Sequence, residues 1–226
     1  ASGVGDASYG RLETIPFPEG GVTWLYIVPP ILLLFLTKYG IPVSTTFLVL
    51  TIFSPASLGS MMVKSMMGYA VAFVVAIIVY RFVMRQVAKY FAKTRNQEPS
   101  HIWIGLQWVS TAFLWSQWLI QDLANIFVYV PRQVPFSFLL FAITVFVVLL
   151  AVILYQRGGA IQKIVDTKTG VTDIRAATII DFMYALILLV FKEWSNIPMS
   201  TTWVFLGLLA GREFAMSMIF DEVNKH

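Results

Sequence analysis

Apolar stretches alternate with short polar breaks along most of this chain, and their lengths predict helices. Residues 1–21 are polar and glycine-rich and read as an N-terminal arm or loop. The first apolar run covers Val22 to about Thr37 and contains Pro29-Pro30, a pair that predicts a kink. A second run ends at Phe53, before Ser54-Pro55; at roughly 11 residues it is too short to cross a bilayer, which takes about 20. A long run begins near Met61 and stays apolar to about Tyr80. Arg81, Arg85, Lys89 and Lys93 then recur every four residues, with Arg95 beyond, as on a helix leaving a membrane with a basic stripe at its end. Ile102 to about Asn125 is rich in Trp yet carries Gln107, Ser110, Thr111, Ser116, Gln117, Gln121, Asp122 and Asn125. A break follows at Val130-Pro131-Arg132. Phe136–Tyr155 is almost wholly apolar and reads as a lipid-facing helix, and 156–175 is a polar loop. Ala176 to Val190 is a further span carrying Asp181; the last run reaches about Phe220, and 221–226 is a polar tail.

Composition turns this pattern into a class. Hydrophobic residues make up 58% and charged residues 12%, against about 25% charged in soluble domains. With mean hydropathy at +0.76, an all-α, multi-pass membrane protein is expected, with the lipid bilayer as a partner and the cell membrane as its location. A chain of 226 residues has room for about six or seven membrane segments. The net charge of +4 reads as positive-inside loops and not as a nucleic-acid footprint, which places loops 81–101 and 156–175 in the cytoplasm. Cysteine is absent, which excludes disulfides and thiolate metal sites.

One sequence occurs almost twice. Residues 40–46 read Gly-Ile-Pro-Val-Ser-Thr-Thr and residues 196–202 read Asn-Ile-Pro-Met-Ser-Thr-Thr, at a constant offset of 156. Internal repeats in apolar chains mark many secondary transporters. Pro suits a first helical turn, where its missing N–H costs nothing. Three hydroxyls beside free backbone N–H groups and a positive dipole end would hold an anion. Ser44, Thr45, Thr46, Ser200, Thr201 and Thr202 are therefore the anion-binding candidates, each triplet opening a half-helix. If both short segments cross, the copies lie five crossings apart and the repeat is inverted; if they are re-entrant instead, the count is even and inversion does not follow. The chain then divides into the arm 1–21, the end of a first repeat plus a following span (22–80), a basic linker (81–101), a second repeat (102–220) and the tail (221–226).

Gln121-Asp122-Leu123-Ala124-Asn125 is the second candidate. An Asp deep in an apolar stretch costs about 2.5–3.5 kcal/mol on insertion scales and persists when paired, solvated or functional. Asp122 and Asn125 share a helix face and would form a hard oxygen site for Na⁺ or H⁺, with Gln121 assisting. For Asp181, a salt bridge or interfacial position competes evenly with a function. His101 and His226 make no metal pattern, and no nucleophile–base pair is visible, so neither an enzyme nor a resident cofactor is expected; Na⁺ is the one metal ion considered.

Together these residues resemble the inorganic phosphate transporter (PiT) family, which has two inverted halves, each with an Asn-Asp-x-Ala-Asn and a Pro-Val-Ser-Thr-Thr-His motif. Gln121-Asp122-Leu123-Ala124-Asn125 and Pro198-Met199-Ser200-Thr201-Thr202 match the second half, with 158–176 similar to its linker and following helix. Pro42-Val43-Ser44-Thr45-Thr46 matches the end of the first. Gln121 stands for the family's Asn, and Phe47 and Trp203 for its His. The partner of Asp122 in the first half would fall before residue 1, so a second chain supplying the missing half-site, or a longer chain, is expected. The resemblance implies ion-coupled symport of an oxyanion, phosphate first, by alternating access. The alternative is a transport-inactive membrane subunit or scaffold of a larger complex.

Overall fold

The computed structural model describes residues 4–6, 8–41, 43–84, 100–156 and 174–223. The basic positions Arg85, Lys89, Lys93 and Arg95, nearly all of loop 156–175, Pro42 and the end of the tail lie outside the described residues. The protein is mostly helical. Among the described residues, three helical stretches are long and apolar enough to cross a membrane: Pro55–Phe82, Phe136–Ile153 and Ile174–Trp194.

In chain order the elements are β1 (Val4–Gly5), α1 (Val28–Lys38), α2 (Thr45–Phe53), α3 (Leu58–Ile78), α4 (His101–Asp122), the single turn α5 (Ala124–Phe127), β2 (Val134–Pro135), α6 (Phe136–Tyr155), α7 (Ile174–Trp194) and α8 (Thr201–Val223). A 3₁₀ turn at Trp24–Ile27 leads into α1, and a π-helical stretch Val79–Met84 extends α3. Pro29 and Pro30 were expected to kink the first helix; they sit in its first turn and open it instead. There the missing N–H groups have no intrahelical partner to lose and the fixed φ suits the helix. The helix of the first repeat copy is nine residues long, about 14 Å at 1.5 Å per residue, less than half the hydrocarbon thickness of about 30 Å.

The fold divides into two compact units, each assembled from separate stretches of chain. Unit one comprises Ala1–Met62, Leu119–Gly170 and Asn196–Ser200. Its core joins Val49, Leu50 and Phe53 of α2, Met61, Ala124 and Phe127 of α5, and Val128. Leu12 and Ile15 of the N-terminal arm are buried in the same cluster, so the arm is part of the core. Phe53 packs between Tyr26 and Tyr129, at ring-centroid distances of 4.5 and 5.1 Å. β1 pairs antiparallel with β2, tying the arm to the start of α6. No residue of Phe136–Ile153 is buried, as its uniform apolar sequence leads one to expect of a lipid-facing helix.

Unit two comprises Val63–Trp118, Val171–Ser195 and Thr201–His226. Here α3 and α8 meet through small residues. A Cβ added at Gly207 would fall onto the Tyr69 carbonyl oxygen and lie 3.1 Å from Ala72 Cβ. One added at Gly211 would strike the Phe73 carbonyl and lie 2.8 Å from Ala76 Cβ. Both contacts advance by four residues in the same direction, so the two helices run parallel at their closest approach, a small-residue crossing of the kind found in membranes.

Candidate functional site

Both repeat copies begin their helices at the same place in the motif. α2 starts at Thr45 and α8 at Thr201, positions that the 156-residue offset makes equivalent. In the first copy the reason is visible. Ser44 has an extended backbone (φ −81°, ψ 105°) and its Oγ accepts from the Phe47 N–H at 3.2 Å, an N-cap that satisfies one of the orphan donors of the first turn. Ser44 accepts in that bond, so the proton on its Oγ can still be donated.

Within unit one, the two copies and the Asp-x-x-Asn element come together. Thr46 Oγ1, 1% exposed, donates to the Met199 carbonyl at 3.1 Å, linking the first copy to the second. Asn125 Nδ2 lies 3.5 Å from Thr46 Oγ1, at the outer limit of a hydrogen bond, and donates to Asp122 Oδ1 at 3.2 Å. Asp122 is partly buried; Gln121, Pro198, Met199 and Ser200 are buried. The helix is interrupted at Leu123, between Asp122 and Ala124, so Asp122 ends α4 and Asn125 lies in α5. Asn125 is 8% exposed, and its Oδ1 has no hydrogen-bond partner among the described residues. A buried amide oxygen normally has one. The cluster brings a carboxylate, an amide and a hydroxyl together, groups whose oxygens suit Na⁺ or a proton, with the Asn125 amide nitrogen facing Asp122 Oδ1 and Thr46 Oγ1.

Thr201 and Thr202 belong to unit two. Thr201 Oγ1 accepts from Trp118 Nε1 at 3.1 Å, and the Thr201 carbonyl accepts from the Tyr184 hydroxyl at 2.8 Å. Asp181 also lies in unit two, where Gln107 and Thr111 donate to it. Its neighbours are thus neutral donors, not the salt bridge that was one of the expectations.

Three cations, Arg11, Lys64 and Arg132, are prominent among the described residues. Arg11, 1% exposed, points Nη1 at the Ile197 carbonyl (3.5 Å), just ahead of Pro198 in unit one. Lys64, 5% exposed, donates to the Ser195 carbonyl at 2.6 Å in unit two. Each lies in a stretch where a single basic residue resembles an interfacial anchor, so no local signal marks it. Arg132 clamps the arm: Nη2 donates to the Ile15 carbonyl at 2.7 Å, and Nη1 reaches the carbonyls of Phe127, Val128 and Val130. Its guanidinium lies over the Phe17 ring, 5.9 Å from the centroid. Burial pulls the Arg132 pKa down, partly offset by Asp6. Burial likewise pushes the Tyr129 phenol up to about 12. For Asp6, burial alone would raise the carboxyl, but hydrogen bonds from Ser8 and Gly10 and the charge of Arg132 outweigh it and hold the pKa below its ordinary value.

The clamp has a measurable consequence. Arg132→Ala should cost about 1.5–3 kcal/mol of local stability, the worth of a hydrogen bond made by a charged group, and should speed hydrogen–deuterium exchange at residues 8–15 without loosening α7. Because the folded pKa of Asp6 is depressed, its contribution is present at neutral pH and fades as pH falls through the carboxylate range. Protection factors of the arm, taken relative to the intrinsic exchange rate at each pH, should therefore fall in acid, and less so in Asp6→Asn.

No family model matches this sequence, and neither a curated protein nor a solved structure matches it.

Proposed function

We propose that this chain is a membrane-embedded part of a secondary transporter that moves an inorganic oxyanion, phosphate first, together with Na⁺ or H⁺ by alternating access. One observation carries the reading: Asn125, whose amide nitrogen donates to the Asp122 carboxylate and whose buried Oδ1 has no partner among the described residues, lies in a cluster that Thr46 ties to the Met199 carbonyl of the other repeat copy. That arrangement favours a bound cation, with Gln121 assisting Asp122 and Asn125. The oxyanion is then served by Ser44, Thr45, Thr46, Ser200, Thr201 and Thr202 and by the N–H groups opening α2 and α8. Thr46 already gives its proton to Met199, so in this state it acts on the anion less than Ser44 and Thr45 do. On this reading α4 and α8 cross the bilayer as well, despite their polar residues, while α2 enters it only part of the way. The common starting point of α2 and α8 supports an internal repeat, whose missing half-site a second chain would supply. The lipid bilayer covers α6, and the basic loops 81–101 and 156–175 face the cytoplasm of a cell-membrane protein.

Cation charge offsets anion charge where the dielectric is low, so each ligand binds better with the other present. Phosphate should therefore bind measurably only with Na⁺ or at low pH. Thr45→Val combined with Thr201→Val should weaken it by more than about tenfold, each lost charge-assisted hydrogen bond being worth about 1.5–3 kcal/mol. Calorimetry of the purified protein, with any partner chain present, tests this with phosphate, sulfate and arsenate, with and without Na⁺ and across pH. Absence of heat with all three would favour a transport-inactive membrane subunit of a larger complex.

A further inference from the structure

Asp181 has no part in the reading above, yet its setting is built. It lies seven residues into α7, about 10 Å along a helix apolar enough to cross a membrane. Its Oδ2 accepts from Gln107 Nε2 and from Thr111 Oγ1, both on α4 and both at 2.9 Å. The second hydrogen of that amide goes to Thr111 Oγ1 at 2.8 Å. When the Thr178 hydroxyl, one turn before Asp181, gives its single proton to Gln107 Oε1 rather than to the Ile174 carbonyl at 2.8 Å, it holds the amide in this orientation. Ser110, 3% exposed, donates to the Thr178 carbonyl at 2.8 Å and fixes the same crossing.

Neutral groups would suffice to join two helices here: the bonds from Thr178 to Gln107 and from Ser110 to Thr178 already do so. A carboxylate adds a cost of about 2.5–3.5 kcal/mol at membrane depth and needs its own reason. Among the described residues no ion pair reaches it. The titratable groups on the elements around α7 are His101 and Asp122 of α4, Lys64, Tyr69 and Tyr80 with Arg81 of the α3 segment, and Arg212 and Glu213 of α8, which ends with Asp221 and Glu222. On α7 itself, Arg175 lies six residues before Asp181, Lys192 and Glu193 pair with each other beyond it, and Tyr184 hydrogen-bonds Thr201. None of these hydrogen-bonds Asp181. The two groups that do are donors, which disfavours a metal ion at Oδ2. Among the described residues Oδ1 accepts no hydrogen bond, so it is the atom open to a proton.

We propose that Asp181 is a reversible proton-binding site, with Gln107 and Thr111 holding its charged form and Thr178 orienting Gln107. Uptake of one proton at Oδ1 converts the carboxylate to the neutral acid; no other bond changes. The site is separate from the Asp122–Asn125 cluster and does not depend on transport.

The test is infrared difference spectroscopy of the full chain in lipid nanodiscs as pH is lowered. A carboxylic-acid band should appear that is missing in Asp181→Asn and retained in Asp122→Asn. Removing one donor to the charged form should move its midpoint upward, by about one pH unit in each of Gln107→Ala and Thr111→Val. Thr111→Val, nearly the same shape as the original, carries the test should Asp181→Asn fail to fold. A spectrum unchanged in Asp181→Asn, or a midpoint unmoved by loss of either donor, would overturn the proposal and leave Asp181 a structural link between α4 and α7.

Discussion

Asp122→Asn should abolish ion-coupled phosphate uptake in proteoliposomes while leaving the helices intact. The substitution keeps the shape of the side chain and an acceptor oxygen for the 3.2 Å bond from Asn125, so local structure should persist. What it removes is the negative charge that favours a cation next to Asn125 Oδ1. Without the cation, an oxyanion at the start of α2 or α8 faces only partial helix-end charges, about half an elementary charge each. Loss of cation binding therefore becomes loss of anion binding as well. Uptake would be measured with labelled phosphate under an imposed Na⁺ or proton gradient, alongside circular dichroism. Uptake equal to that of the unaltered protein, at unchanged helicity, would count decisively against the assignment.

The largest structural effect is expected at the crossing of α3 and α8. Gly207→Ala and Gly211→Ala each place a methyl group against a main-chain carbonyl, of Tyr69 and of Phe73, where no flexible side chain can move aside. Overpacking of a tight contact costs about 1–3 kcal/mol, and Val or Leu should cost more. The double variant Gly207→Val/Gly211→Val should therefore fail to give a folded unit two, seen as lost yield and a lowered thermal midpoint in detergent. Gly59 and Gly105, where an added Cβ meets nothing, serve as controls: Ala should be tolerated at both. A normal midpoint for the double variant would mean that the helices do not approach as closely as described.

The sequence carries some of this plainly and hides the rest for definite reasons. Runs of apolar residues gave the helices; the start of α2 was placed at the proline of the motif, whereas Ser44 caps a helix that opens at Thr45. The Pro29-Pro30 pair was misread because proline opens a helix as readily as it bends one, and only the neighbouring 3₁₀ turn decides between them. Leu12, Ile15 and Arg11 were invisible inside a polar, glycine-rich arm, since burial there depends on residues more than a hundred positions away. The glycines of the α3–α8 crossing sit in an apolar run that would look the same facing lipid. Of the candidate site, Asp122 and Asn125 announce themselves as polar residues in an apolar stretch. That Thr46 would reach Met199 was foreshadowed by the repeat, but which hydroxyl would make the link was not.

The interleaving of the two units also imposes a schedule. Unit one takes its first segment from residues up to Met62 and its last, Asn196–Ser200, from near the other end of the chain. At the usual pace of synthesis, about 5–20 residues per second, the 138 residues from Val63 to Ser200 take roughly 7–28 s to make. Throughout that interval the hydroxyl of Thr46 waits in a nascent chain for the carbonyl it will bind, and the short helix that follows it cannot stand across the bilayer alone. On the proposed topology, insertion is therefore not a helix-by-helix deposition: a half-inserted, polar-tipped segment has to wait until Asn196–Ser200 arrives to receive it.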